Sequence, residues 1–130
     1  MNPLLLLLFA QGEALSAGDI RGEWINERRT AIVSVADCAS GLCGTIVWSA
    51  PIARRDAARG GTTFLNGVTV VTGIVPTPAQ HWRGSLFLPD QNRIVRAKIE
   101  LNPMGELRIR GCELAGLLCR TQTWSRWAAK

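Results

Sequence analysis

The 130-residue sequence contains no tyrosine and a single histidine, His81. It has no C-x-x-C pair, no Gly-rich phosphate loop and no Walker pattern. A lone imidazole without an ordered Ser or Cys partner does not make a nucleophile–base site. Without C-x-x-C there is neither a thioredoxin-like redox pair nor the close knuckle of a structural zinc site. Without a phosphate loop the common nucleotide sites drop out. The acidic residues Asp37, Asp56, Asp90, Glu100, Glu106 and Glu113 are scattered through turns and polar faces, and no glycosidase-like pair can be argued from their separations. These absences predict a non-enzymatic protein with no catalytic residue, no metal ligand and no cofactor. No apolar run exceeds seven residues, whereas a bilayer-spanning helix needs about 20, so the chain is not expected to span a membrane with helices.

What is present is ordinary for one globular domain: 47% hydrophobic and 19% charged residues, with 13 Gly and 6 Pro. The net charge is +5 with an isoelectric point near 9.7, and 13 of the 15 cations are Arg. Residues 4–10, five leucines followed by Phe9 and Ala10, form a short apolar core. The small residues Ala14, Ser16 and Ala17 follow it. This pattern reads residues 1–17 as a signal peptide and residues 18–130 as the mature domain, in the periplasm or secreted. The four cysteines agree: an even number in a small chain points to disulfides in an oxidising compartment. Cys38 and Cys43 flank a four-residue hairpin loop, and Cys112 and Cys119 bracket an apolar one, so each pair is expected to close locally.

From residue 22 onward the pattern has period two. Val95, Ala97, Ile99 and Leu101 alternate with Arg96, Lys98 and Glu100, and Leu107 and Ile109 with Arg108 and Arg110. One apolar and one charged face at this period is a half-buried antiparallel strand. Ala31, Val33 and Val35 share a face, as do Ile46 and Trp48. Turn-forming segments separate eight strands, near 21–27, 30–36, 43–49, 67–74, 81–88, 93–101, 105–111 and 119–127. The long gap from Pro51 to Asn66 reads as an exposed loop with at most one helical turn at 53–58.

Eight short strands with tight turns predict an all-β fold, an eight-stranded antiparallel up-and-down β-barrel, with a β-sandwich as the alternative. Four residues favour closure. Gly22 and Trp24 lie in the first strand and Trp124 and Arg126 in the last, so in a barrel the Arg126 guanidinium can cover the Trp24 indole.

The segments Gly22-Glu23-Trp24, Cys38-Ala39-Ser40-Gly41-Leu42-Cys43-Gly44-Thr45-Ile46-Val47, Trp82-Arg83-Gly84, Arg110-Gly111-Cys112 and Arg120-Thr121-Gln122-Thr123-Trp124-Ser125-Arg126 occur in that order. Together they resemble domain of unknown function family 2147, a family of small exported bacterial proteins, over about residues 20–127. The resemblance implies export and a calycin-like (lipocalin-type) barrel. It carries no catalytic residue. The long loop departs from the family's acidic stretch, reading Arg55-Asp56-Ala57-Ala58-Arg59 here.

Two functional readings remain. A barrel interior of eight strands either fills with side chains or holds one small ligand, which predicts a binding module for a small apolar or amphiphilic ligand or an envelope component. Alternatively a filled barrel presents Arg93, Arg96, Lys98, Arg108 and Arg110 as a basic face for an anionic envelope component. The residues alternating with these cations are aliphatic, so nucleic acid, which calls for stacking rings, is not an expected partner.

Overall fold

The computed structural model describes residues 19–79, 81–113 and 118–127. The proposed leader, residues 1–17, lies outside them. Eight strands follow one another around a closed barrel: β1 (Gly22–Ile25), β2 (Ala31–Cys38), β3 (Gly41–Ser49), β4 (Thr69–Thr77), β5 (His81–Leu88), β6 (Arg93–Leu101), β7 (Leu107–Glu113) and β8 (Leu118–Arg126). All neighbouring pairs are antiparallel. Closure is made by β1 on β8, with Trp24 opposite Arg126 and Ile25 opposite Ser125. The Trp127 N–H extends the seam, donating to the Glu23 carbonyl at 2.9 Å. The all-β barrel expected from the alternation is therefore the fold, closed through a short β1–β8 seam of two residue pairs.

Up-and-down order gives the barrel two unlike ends. The β1–β2, β3–β4, β5–β6 and β7–β8 connections share one end, which we call the mouth. The other three turns share the opposite, closed end with the entry to β1 and the exit of β8. Burial follows the sequence period along β6, where Val95, Ala97 and Ile99 are buried and Arg96 and Lys98 exposed, and along β7, where Leu107 and Ile109 are buried and Arg108 and Arg110 exposed. Ile20, Trp24, Leu107 and Ile109 are almost fully buried and, with Trp124, form the core below the mouth.

Two local expectations need correction. Ile46 and Trp48 do not share an environment: Ile46 is buried and Trp48 largely exposed. The β2–β3 register shifts between Ile32 and Val33, which face Trp48 and Ile46, so Val47 is an extra residue that turns Trp48 outward. The gap after β3 is also more than a loop. It contains a nine-residue helix, α1 (Pro51–Arg59), with Pro51 at its start, where proline's fixed φ suits a helix and its missing N–H costs nothing. Ala53, Asp56 and Ala57 recur at three- and four-residue spacing and turn inward, while Arg54, Arg55 and Arg59 face solvent.

Candidate functional site

Strand ends and α1 converge on a hollow at the mouth. Its volume is about 200 Å³. Val33, Ile46, Val70, Leu86 and Trp124 line its lower part, and Ile52, Ala53 and Ala57 of α1 roof it. A second hollow of about 250 Å³ adjoins it along β5–β8 and shares Leu86, Leu88, Asp90 and Gln122 with it. The upper lining is polar: Arg28 and Asp56 in the first hollow, Arg120 and Glu113 in the second. Apolar depth with a polar rim is the chemistry of a site for an amphiphile.

Register explains the rim. Trp124 lies opposite Leu107, Gln122 opposite Ile109 and Arg120 opposite the buried Gly111, so these three β8 side chains share the inward face. Gln122 accepts a 3.0 Å hydrogen bond from the Trp124 indole N–H, which fixes the ring at the cavity floor. The roof is held at two places. The Thr62 hydroxyl donates to the Pro89 carbonyl at 2.8 Å. Gly60 packs so closely on the β5–β6 turn that a Cβ there would stand 1.9 Å from the Asp90 carbonyl oxygen, a distance no side chain can occupy. The Arg54 guanidinium also bonds the Ser49 carbonyl at the entrance to α1.

The closed end is a plug. The Arg126 guanidinium lies over the Trp24 ring, 4.1 Å from its centroid, and donates to the carbonyls of Arg21 and Asp19. Desolvation in this position pushes the Arg126 guanidinium below its ordinary value, with nearby Asp19 opposing the shift. The Trp24 indole N–H donates to the Ile20 carbonyl at 2.9 Å. Gly22, at φ +117°, would bring a Cβ within 2.9 Å of Arg126 Nη1, so both its backbone and its neighbour call for glycine. Outside this plug, Arg21 bonds Asp37 at 2.8 Å and Asp19 at 2.9 Å, and holds the Asp37 carboxyl below the usual range.

The cysteines pair as Cys38–Cys43 across the β2–β3 turn and Cys112–Cys119 between β7 and β8. The second bridge ties down the mouth edge beside Arg120. Two disulfides fit an oxidising, non-cytoplasmic setting.

The structure divides the five cations grouped by sequence. Arg96, Lys98, Arg108 and Arg110 stand on the outer face of β6 and β7. Arg93 does not join them. It shares the inward parity of Val95 and Ala97, opposes Leu88, and pairs with Glu113 at the rim. Arg83, passed over in the sequence, takes its place on the outer face: it lies opposite Lys98 across β5–β6. His81 starts β5 on the outside, exposed, with Nε2 3.4 Å from Glu100.

No helix among the described residues is long and apolar enough to cross a membrane, and no group of three or more His, Cys, Asp or Glu among them is placed to hold a metal ion.

The fold is similar to that of a protein from Helicobacter pylori, HP1028, described as belonging to the lipocalin family. The TM-score is 0.62 at 11% identity, covering 85% of this chain and 84% of that one. At that identity the likeness is one of fold. No curated protein matches the chain in sequence. Residues 22–126 match the model of the family described as an uncharacterized protein conserved in bacteria (DUF2147), the same family the sequence motifs resemble, and the chain belongs to it.

Proposed function

We propose that the protein is a non-enzymatic, exported binding module that takes one small amphiphilic molecule into the barrel mouth, apolar part down. The observation that carries this reading is the hollow between α1 and the barrel, with Val33, Ile46, Val70 and Trp124 below and Arg28, Asp56, Asp90 and Gln122 near its opening. A wholly apolar ligand would leave those rim groups desolvated without partners, whereas a ligand with a polar head satisfies them. The volume sets the scale. About 200 Å³, with the adjoining 250 Å³, is at the lower end of small-molecule sites, which span about 300–1,000 Å³. The ligand is therefore smaller than a two-chain lipid. The one imidazole, His81, sits on the outer wall against Glu100 and away from the mouth.

Periplasmic residence belongs to the same proposal, supported by the two disulfides and by the apolar segment near the start of the sequence. Native mass spectrometry of the protein released from its own periplasm tests both parts. The expected result is a mature chain starting near Gly18 that carries one non-covalent adduct lost on activation. A chain with Met1 intact, recovered from cytoplasm, removes the export reading. A periplasmic chain that is ligand-free and takes up no amphiphile removes the binding one.

A further inference from the structure

Strand register builds a feature on the outer wall that the mouth cavity does not explain. Arg83 on β5, Lys98 on β6 and Arg110 on β7 are directly opposite one another, a row of three cations across three adjacent strands, continued by Thr121 on β8. The row on the mouth side is Ser85, Arg96, Cys112 and Cys119. The row on the closed-end side is His81, Glu100, Arg108 and Thr123. Among the described residues, Arg83, Arg96, Lys98, Arg108 and Arg110 make no ion pair, although His81–Glu100 and Arg93–Glu113 do so on the neighbouring surfaces. Like charges directly opposite on a sheet destabilise it. This barrel therefore keeps an arrangement that works against its own folding. The row is the shared centre of two adjoining troughs. The larger, about 1,120 Å³, is flanked by the exposed apolar side chains Val75 and Ile94, and the smaller reaches Arg108 and Thr121.

We propose that this trough binds an extended acidic glycan chain, carrying carboxylate or phosphate groups about one sugar apart, along the Arg83–Lys98–Arg110 row. The proposal goes beyond the mouth reading and is independent of it. Cations on neighbouring strands repeat about every 5 Å, and those two residues apart along a strand about every 7 Å, a spacing that suits one charge per sugar ring. The Ser85 and Thr121 hydroxyls can hydrogen-bond sugar hydroxyls between the charges. The competing polyanions fit less well. A flat bilayer cannot enter a trough. A nucleic acid finds few free rings beside the row: Trp82 lines the smaller trough but packs against the core, and His81 faces Glu100. An acidic peptide added as a strand would need a free sheet edge, and β5, β6 and β7 are each paired on both sides.

The test is equilibrium binding of an oligogalacturonate to the mature protein at low and moderate salt. Phosphatidylglycerol vesicles, a single-stranded oligonucleotide and oligo-glutamate of matched charge serve as alternatives. The oligogalacturonate is expected to bind best, and its affinity to fall steeply with salt. The triple variant Arg83→Gln, Lys98→Gln, Arg110→Gln should bind about tenfold or more weakly, and Lys98→Gln alone should shift affinity in the same direction. Arg93→Gln and the cavity-filling Ala53→Phe should leave it unchanged. Lys98→Gln should also raise Tm, since it removes the middle charge of the row. No oligogalacturonate binding, equal binding by both row variants, or tighter binding of any of the three alternatives overturns the proposal. Loss of mouth-ligand uptake in Ala53→Phe with the glycan still bound separates the two sites.

Discussion

Arg126 covers Trp24 across the seam that closes the barrel. These residues are directly opposite on β8 and β1, and the guanidinium carbon stands 4.1 Å from the indole centroid. A residue near the end of the chain thus shields one near the start of the domain, and its donors bind the Arg21 and Asp19 carbonyls of the entering strand.

This contact gives the first prediction. Trp24→Ala should cost about 3–5 kcal/mol, the range for a buried large aromatic. Arg126→Ala should cost about 1–3 kcal/mol, from the lost ring contact and carbonyl bonds. A double-mutant cycle by urea denaturation should show coupling of at least about 0.5 kcal/mol, and strictly additive losses would contradict the contact.

Gly22→Ala should be more damaging than its small size implies. The added Cβ meets Arg126 Nη1 at 2.9 Å, and φ +117° is strained for any L side chain. The expected loss is about 1–3 kcal/mol. It should shrink in an Arg126→Ala background, because only the clash is relieved there and the backbone strain remains. Tm measured on the four proteins of that cycle checks it.

The Arg21–Asp37 pair should appear in the acid limb of the stability curve. Asp37 is held below its ordinary value by its hydrogen bond and charge contact with Arg21. Its contribution is therefore complete above the unfolded aspartate range and is lost as pH falls through the lower, folded value. Both groups are solvent-exposed, so the effect is small. Asp37→Asn should lower Tm slightly at pH 7, and the gap to the parent should close as pH falls through the lowered, folded Asp37 value. A gap that persists unchanged in acid would assign the effect to something other than this charge.

The disulfides close short loops, with sequence separations of 5 and 7. Each should therefore add less than the roughly 3 kcal/mol expected of a 15-residue loop. Non-reducing peptide mapping should return Cys38–Cys43 and Cys112–Cys119 alone, and reduction should lower Tm without abolishing the β-sheet circular dichroism signal.

The barrel was readable in the sequence where one face is aliphatic and the other charged. Residues 93–101 and 107–110 show this most clearly, because a strand half buried on one side must alternate. The same alternation already separates Arg93 from Arg96 and Lys98: it is odd-numbered, like Val95. It sits on the inward face at a rim where that face is wet, so an Arg there is tolerated. Gln122 and Arg120 hide for the same reason. They share the parity of Trp124, yet the barrel interior near the mouth is polar, so period two loses its apolar signal. Arg83 lies in Trp82-Arg83-Gly84-Ser85, where hydropathy does not alternate cleanly, and only strand register places it beside Lys98. Helix α1 showed in the sequence only as a single turn at 53–58, because a segment rich in alanine and arginine gives a weak apolar stripe. Its position is set by tertiary contacts, the Thr62–Pro89 bond and the Gly60–Asp90 approach.

The central claim is that one amphiphile enters the hollow beneath α1. Its most direct test is a titration of the mature protein with anilinonaphthalene sulfonate, followed by quenching of tryptophan emission, with Trp124 at the cavity floor as the reporter. The parent should bind one molecule per chain. Ala53→Phe, which fills the hollow from the roof, should abolish binding while Tm stays within a few degrees of the parent. Saturable binding that is equally tight in Ala53→Phe, or no binding by the parent, would contradict the account.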